Sequence, residues 1–122
     1  MGDIAIEIKN LSKIYPGEIK ALDKINLNIP KGSFFGLLGP NGAGKTTTIG
    51  ILTGLVNRTS GSALIMGHDT TKQYRLTRPL VGLSPQELNF DVFFTIRELL
   101  ILQAGYFGLP KQNCIERADL MI

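Results

Sequence analysis

Several kinds of chemistry have too few residues to work with in this sequence. Among its 122 residues, Cys114 is the only cysteine and His68 the only histidine. One thiol cannot close an internal disulfide, which fits a reducing compartment. One Cys and one His do not supply a zinc site of the usual donor set. Charge of one sign is equally sparse: 13 Lys and Arg stand against 10 Asp and Glu, a net +3, with no run of five or six basic residues. Nothing here reads as a nucleic-acid arm, and no nucleic-acid partner is expected. The longest apolar stretches, near Phe34–Leu38 and Leu99–Leu102, fall far short of the ~20 residues of a membrane span. The opening MGDIAIEIKN carries Asp3 and Glu7 and lacks the basic-then-apolar order of a secretory leader. The chain is therefore expected to be soluble, with any membrane association made through a partner. No repeat or low-complexity segment occurs, and the length allows one modest domain at most.

What is present is patterned. Ile4, Ile6 and Ile8 alternate with Ala5, Glu7 and Lys9, and Ile25, Leu27 and Ile29 repeat the alternation. Both read as half-buried strands, joined by a turn at Pro16-Gly17, which predicts a small antiparallel region. Ser33–Leu38 (SFFGLL) is nearly all apolar, as a strand buried on both faces would be. Thr46–Leu55 carries Ile49, Leu52 and Leu55 at helical spacing. Gly50 inside that helix costs about 1 kcal/mol against Ala, so packing must hold it. Ser62–Met66 and Leu80–Leu83 read as short strands. Thr95-Ile96-Arg97-Glu98 fits a capping box opening a helix to about Tyr106. Lys111–Ile122 reads as another helix, with Ile115, Ala118 and Ile122 on one face. It has no C-cap and reads as interrupted.

Between the apolar strand and the first helix lies Gly39-Pro40-Asn41-Gly42-Ala43-Gly44-Lys45-Thr46, which fits G-x-x-x-x-G-K-[ST] at every position. Glycines let backbone N–H groups close around a phosphate with no Cβ in the way. The helix that follows points its free N–H groups and positive dipole end at the same anion. Lys45 supplies charge for the β- and γ-phosphates, the Thr46 hydroxyl suits Mg²⁺, and Thr47 is placed for a further phosphate contact. The strand–loop–helix setting is the one the motif demands. Alone, the loop specifies a nucleoside triphosphate and no particular reaction.

The flanking wording is more specific. GLLGPNGAGKTTTIGILTGL (Gly36–Leu55) resembles the nucleotide-binding subunit of ATP-binding cassette (ABC) transporters, and the resemblance runs over essentially the whole chain. ALDKINLNIPKGSFFGLLGPNGAGKTT is similar to that family's approach to the loop, SGSALIMGHD (Ser60–Asp69) to its next strand and turn, and VGLSPQE (Val81–Glu87) to its Q-loop. The wording is most similar to the drug and ABC-2-type exporter branch. The resemblance implies an α/β fold: a P-loop NTPase core of mostly parallel sheet with flanking helices, a small N-terminal antiparallel β region, and the start of a helical subdomain. The corresponding divisions are 1–32, 33–87 and 88–122. It implies ATP and Mg²⁺ as cofactors and Tyr15 as the ring that stacks on adenine, a role a π-face can perform without hydrogen-bond register. A half-buried surface Tyr beside Pro16 is the plain alternative. Gln86 matches the glutamine that senses Mg²⁺ and the attacking water, its amide oxygen being able to meet either; otherwise it is a loop residue after Pro85. The resemblance also implies a transmembrane partner, a second nucleotide-binding subunit paired head to tail, and a peripheral cytoplasmic place on the inner membrane face. Phe90, Phe93, Phe94 and Phe107 are candidates for the membrane-partner contact, although burial is the commoner fate of such residues.

Hydrolysis needs more: an acid for Mg²⁺ and a residue that orients water. The family takes these from an apolar strand ending in Asp-Glu, preceded by a Leu-Ser-Gly-Gly-Gln signature and followed by a switch histidine, none of which occurs in these 122 residues. SALIMGHD is an apolar strand followed by an acid, but Gly67 and His68 intervene and no Glu follows, so Asp69 and His68 are assigned to a turn. No catalytic carboxylate is assigned. The residues are expected to be the N-terminal part of an ABC ATPase domain, binding ATP without turnover. In that fold other strands stand between the loop strand and the Q-loop strand, so marginal stability or aggregation is expected of the isolated chain. Two other functions remain open. One is a soluble ABC-type ATPase acting on DNA or ribosomes, which usually carries coiled coils or basic linkers not present here. The other is a non-catalytic ATP-binding remnant. No transported substrate is legible.

Overall fold

Alternation in the first thirty residues produces what it predicts. In the computed structural model, which describes residues 3–40, 42, 44–85, 87 and 92–122, β1 (Ile4–Tyr15) and β2 (Ile19–Pro30) form an antiparallel hairpin. Ile25, Leu27 and Ile29 are half-buried while their neighbours are exposed. β3 (Ser60–Ile65) and the two-residue β4 (His68–Asp69) complete a four-stranded sheet of order β2-β1-β3-β4, every pairing antiparallel. β1 is bulged near Asn10, whose φ is 47°. Its N–H there is taken by Asn26 Oδ1 at 3.0 Å, so the irregular backbone keeps a partner. β3 passes so close that a Cβ on Gly61 would lie 2.1 Å from the Asn10 carbonyl oxygen.

Helix α1 (Lys45–Thr53) covers this sheet. Ile8 and Leu11 of β1, Leu22 of β2, Ile51 of α1 and Ala63 of β3 are buried together, with Ile6, Ile25, Leu27, Leu52 and Val56 packed around them. Gly50 is held as its sequence cost requires. A Cβ there would sit 2.7 Å from Val56 Cγ2, and its carbonyl accepts the N–H groups of Leu55 and Val56. A short helix, α2 (Tyr74–Thr77), and a 3₁₀ turn (Arg78–Leu80) follow the sheet.

Two expected strands do not form. Ser33–Leu38 takes no regular structure, and Phe34 and Leu38 are almost fully exposed. A strand buried on both faces needs a neighbour along each edge for its N–H and C=O groups. None of the described strands pairs with this segment. Leu80–Leu83 is likewise unpaired: Pro79 favours the 3₁₀ turn, and only beyond it is Val81 extended.

Met1–Leu83 and Ser84–Ile122 are separate compact units. In the second, α3 (Ile96–Tyr106) begins with the expected capping box: Thr95 Oγ1 accepts the Glu98 N–H at 3.2 Å, and Glu98 Oε2 accepts the Thr95 N–H at 2.7 Å. α4 (Lys111–Met121) lies against α3. The buried residues of α4 are Cys114 and Ala118, an i, i+4 pair, while Ile122, expected on that face, is exposed. Arg97 at the start of α3 reaches Asp119 near the end of α4, at 2.8 and 3.3 Å. No helix among the described residues is long and apolar enough to cross a membrane.

Candidate functional site

The loop before α1 is shaped by its glycines. Gly42 and Gly44 have φ of 86° and 93°, in the region that costs glycine nothing. At Gly44 no other residue fits, because a Cβ would meet Leu22 Cδ2 at 2.5 Å and the Ala21 carbonyl oxygen at 2.8 Å. The loop therefore rests directly on β2. Gly44 is also the N-cap of α1 and offers no side-chain cap, and the first turn holds no acid. A helix start is usually capped by Ser, Thr, Asp or Asn; here it is left for something else. Lys45 Nζ turns back to donate to the Gly39 carbonyl, so its charge is folded over the loop. Thr48 Oγ1 donates to the Gly44 carbonyl at 2.8 Å, fixing the first turn from inside. Glycine-lined curvature, an uncapped helix start, a lysine over the loop and no acid in the first turn all suit a phosphate group.

Tyr15, thirty residues upstream, comes to the same place. Its phenol oxygen is 3.4 Å from Thr47 Oγ1, and the ring is half-exposed. The ammonium of Lys13 sits 4.9 Å from its centroid. Lys13 played no part in the sequence argument, although residues two apart on a strand share a face and that spacing marks it. Gly39, Pro40 and Thr46 are exposed, beside or within this loop. Asn41, Ala43 and Gln86 lie outside the described residues, as do Phe90 and Asp91. In the second unit Phe93, Phe94 and Phe107 are exposed.

Asp69 has a structural task. Its carboxylate accepts both terminal nitrogens of Arg58 at 3.1 and 3.0 Å, and the N–H groups of Thr71 and Lys72 at 2.8 and 2.9 Å. Burial works against its charge. The Arg58 hydrogen bonds, the Lys72 and Thr71 amides and the Arg58 charge outweigh it and bring its pKa from 3.8 to about 2. His68 and Asp69, expected in a turn, instead form β4, and the Asp69 carboxylate ties the end of that strand to the turn after it. Among the described residues no group of three or more His, Cys, Asp or Glu is placed to hold a metal.

With this geometry in view, the match to known proteins is unambiguous at family level. The family described as ABC transporter matches residues 22–120. The chain belongs to the ABC transporter family. This ABC chain is 40% identical over 114 residues to the Nod factor export ATP-binding protein I of Paraburkholderia xenovorans (strain LB400), covering 93% of the chain and 37% of that protein. It is 37% identical over 118 residues to the daunorubicin/doxorubicin resistance ATP-binding protein DrrA of Streptomyces peucetius, covering 97% and 36%. A solved structure of the ATP-binding subunit of an ABC transporter superposes with a TM-score of 0.76 at 29% identity, over 87% of this chain and 44% of that one. The ABC chain thus spans little more than a third of the length of these two curated relatives. Its fold is part of the ABC ATPase fold, with the antiparallel N-terminal sheet in place.

Proposed function

We propose that these residues form the ATP-binding part of a subunit that powers an ABC-type exporter. The observation that carries the reading is the uncapped start of α1, with Lys45 folded over the glycine loop. In this reading the amides of Gly39, Asn41, Gly42, Ala43 and Gly44, with Pro40 shaping the turn, wrap the phosphates, while Lys45 supplies charge to them. Thr46 and Gln86 hold Mg²⁺, which would neutralise phosphate charge, and Thr47 adds a phosphate contact. The Tyr15 face opposite Lys13 takes the adenine. The export role is supported by two of the relatives, one a Nod factor export ATP-binding protein and one a drug-resistance ATP-binding protein.

The proposal extends to organisation. Residues 1–32 and 33–87 make up the antiparallel region and the loop-to-Q-loop core. Residues 88–122 open a helical subdomain that meets a transmembrane partner through exposed aromatics such as Phe94 and Phe107. A second nucleotide-binding subunit completes the site head to tail, on the cytoplasmic face of the membrane. Residues 1–122 bind ATP and do not turn it over, because their sequence offers no apolar strand ending in Asp-Glu to hold Mg²⁺ and orient water. Filter binding with labelled ATP tests both halves: label retained as intact ATP supports the reading, and steady phosphate release lost in Lys45→Ala contradicts it.

A further inference from the structure

The other end of α1 borders a second polar recess. A cavity of about 90 Å³ lies between the helix's last turn and the segment after β4, floored by Ile51 and Val56 and walled by Asn57, Thr70, Tyr74 and Arg78. Three independent observations concern it. Thr70 is 4% exposed, and its hydroxyl is the one buried side-chain polar atom among the described residues with no hydrogen-bond partner. Such a group is normally satisfied by something. Arg78 forms no ion pair or hydrogen bond through its guanidinium among the described residues; it lies against the Tyr74 ring, 4.9 Å from the centroid, which holds it at the cavity wall. Finally, the segment Arg58–Arg78 contains Arg58, Lys72, Arg75 and Arg78 against the single acid Asp69, which is the whole of the chain's formal net charge of +3.

We propose that this cavity is a binding site for a phosphate-sized oxyanion, distinct from the glycine loop. Arg78 supplies the charge, with Thr70 Oγ1 and the Asn57 amide as donors. Arg58 is spoken for by Asp69, so Arg78 is the cation left to meet a ligand, with Arg75 and Lys72 adding a long-range field. The last carbonyls of α1 oppose an anion there. They are partly answered: the Gly50 carbonyl accepts from Leu55 and Val56, the Ile51 carbonyl accepts from Gly54, and Arg78 stands over Gly54. Nine residues of helix, about 13 Å at 1.5 Å per residue, separate the site from the loop, so one ion cannot serve both. The ligand's phosphoryl group is either free in solution or carried by a lipid headgroup.

The test uses the chain with Lys45→Ala, which silences the loop. Inorganic phosphate is titrated against chloride at matched ionic strength and followed by ¹⁵N NMR. Saturable shifts are expected at the Thr70 and Thr71 amides and the Arg78 side-chain N–H. Arg78→Gln should weaken binding about tenfold, as expected for the loss of a charged hydrogen-bond partner. Thr70→Val should weaken it a few-fold and Thr70→Ser should not, with spectral dispersion reporting that each variant folds. In parallel, co-sedimentation compares phosphatidylcholine vesicles with and without phosphatidic acid. Phosphate saturation without Arg78-dependent sedimentation identifies a free anion, and Arg78-dependent sedimentation identifies a headgroup; either supports the site. Shifts that never saturate, or persist unchanged in Arg78→Gln, with no Arg78-dependent sedimentation, overturn it.

Discussion

The Tyr15 phenol oxygen lies 3.4 Å from the Thr47 hydroxyl, tying the last residue of β1 to the third residue of α1. Two residues 32 apart in sequence thus set the ring beside the loop before any ligand is considered. On the proposed function, the π-face matters more than the hydroxyl. Tyr15→Ala should weaken ATP binding by roughly tenfold, in keeping with about 1–3 kcal/mol for a stacked base. Tyr15→Phe should stay within about twofold. Equilibrium titration of both variants checks this, and equal losses in the two would assign the role to the hydroxyl.

Gly44 is fixed by two constraints at once: its φ of 93° and its contact with Leu22 and Ala21. Gly44→Ala should destabilise the unit by about 1–3 kcal/mol through backbone strain and the clash, and should cost ATP affinity as well. Leu22→Ala relieves the side-chain clash but not that with the Ala21 carbonyl or the strain, and by itself it costs about 2–5 kcal/mol because Leu22 is buried in the core. In a double-mutant cycle, Gly44→Ala should therefore cost less in the Leu22→Ala background than in the unaltered chain, but still destabilise it.

At Gly50 helix propensity and packing give opposite signs. Propensity favours alanine by about 1 kcal/mol, but Val56 Cγ2 occupies the space at 2.7 Å. Packing is expected to win, so Gly50→Ala lowers the melting temperature. In a Val56→Ala background the same change should raise it, and a double-mutant cycle measures the coupling.

These residues also show how far the sequence could be read. The period-two isoleucines, the Pro16-Gly17 turn, the glycine loop and the Thr95–Glu98 box were legible because each is a local pattern with a local cause. Ser33–Leu38 and Leu80–Leu83 were misread because their apolar runs describe strands that depend on neighbours, and no described strand stands beside them. The Gly44–Leu22 and Gly50–Val56 contacts and the Arg58–Asp69 pair could not be read. They arise where the chain folds back on itself, and no spacing rule marks them. The Lys13–Tyr15 contact, by contrast, follows from strand periodicity, which sets residues two apart on one face.

Asp69 makes stability depend on acid. Its folded pKa, about 2, lies below the ordinary 3.8, so its contribution is fully present above pH 3.8 and is lost as pH falls through about 2. The shift corresponds to about 2 kcal/mol at neutral pH. Asp69→Asn should lower stability at pH 7 by roughly that amount and flatten the decline between pH 4 and 2. Denaturant titrations across that window check it.

The central claim is that the glycine loop and Lys45 bind the phosphates of ATP. The chain has no tryptophan and three tyrosines, so tyrosine emission can follow Mg²⁺·ATP binding at the Tyr15 ring, with Lys45→Ala as the paired variant. The account predicts saturable quenching in the unaltered chain and a loss of affinity of at least tenfold in Lys45→Ala, with the fold retained by circular dichroism. Equal affinity in the two chains, or no saturable binding by the unaltered chain, would contradict it.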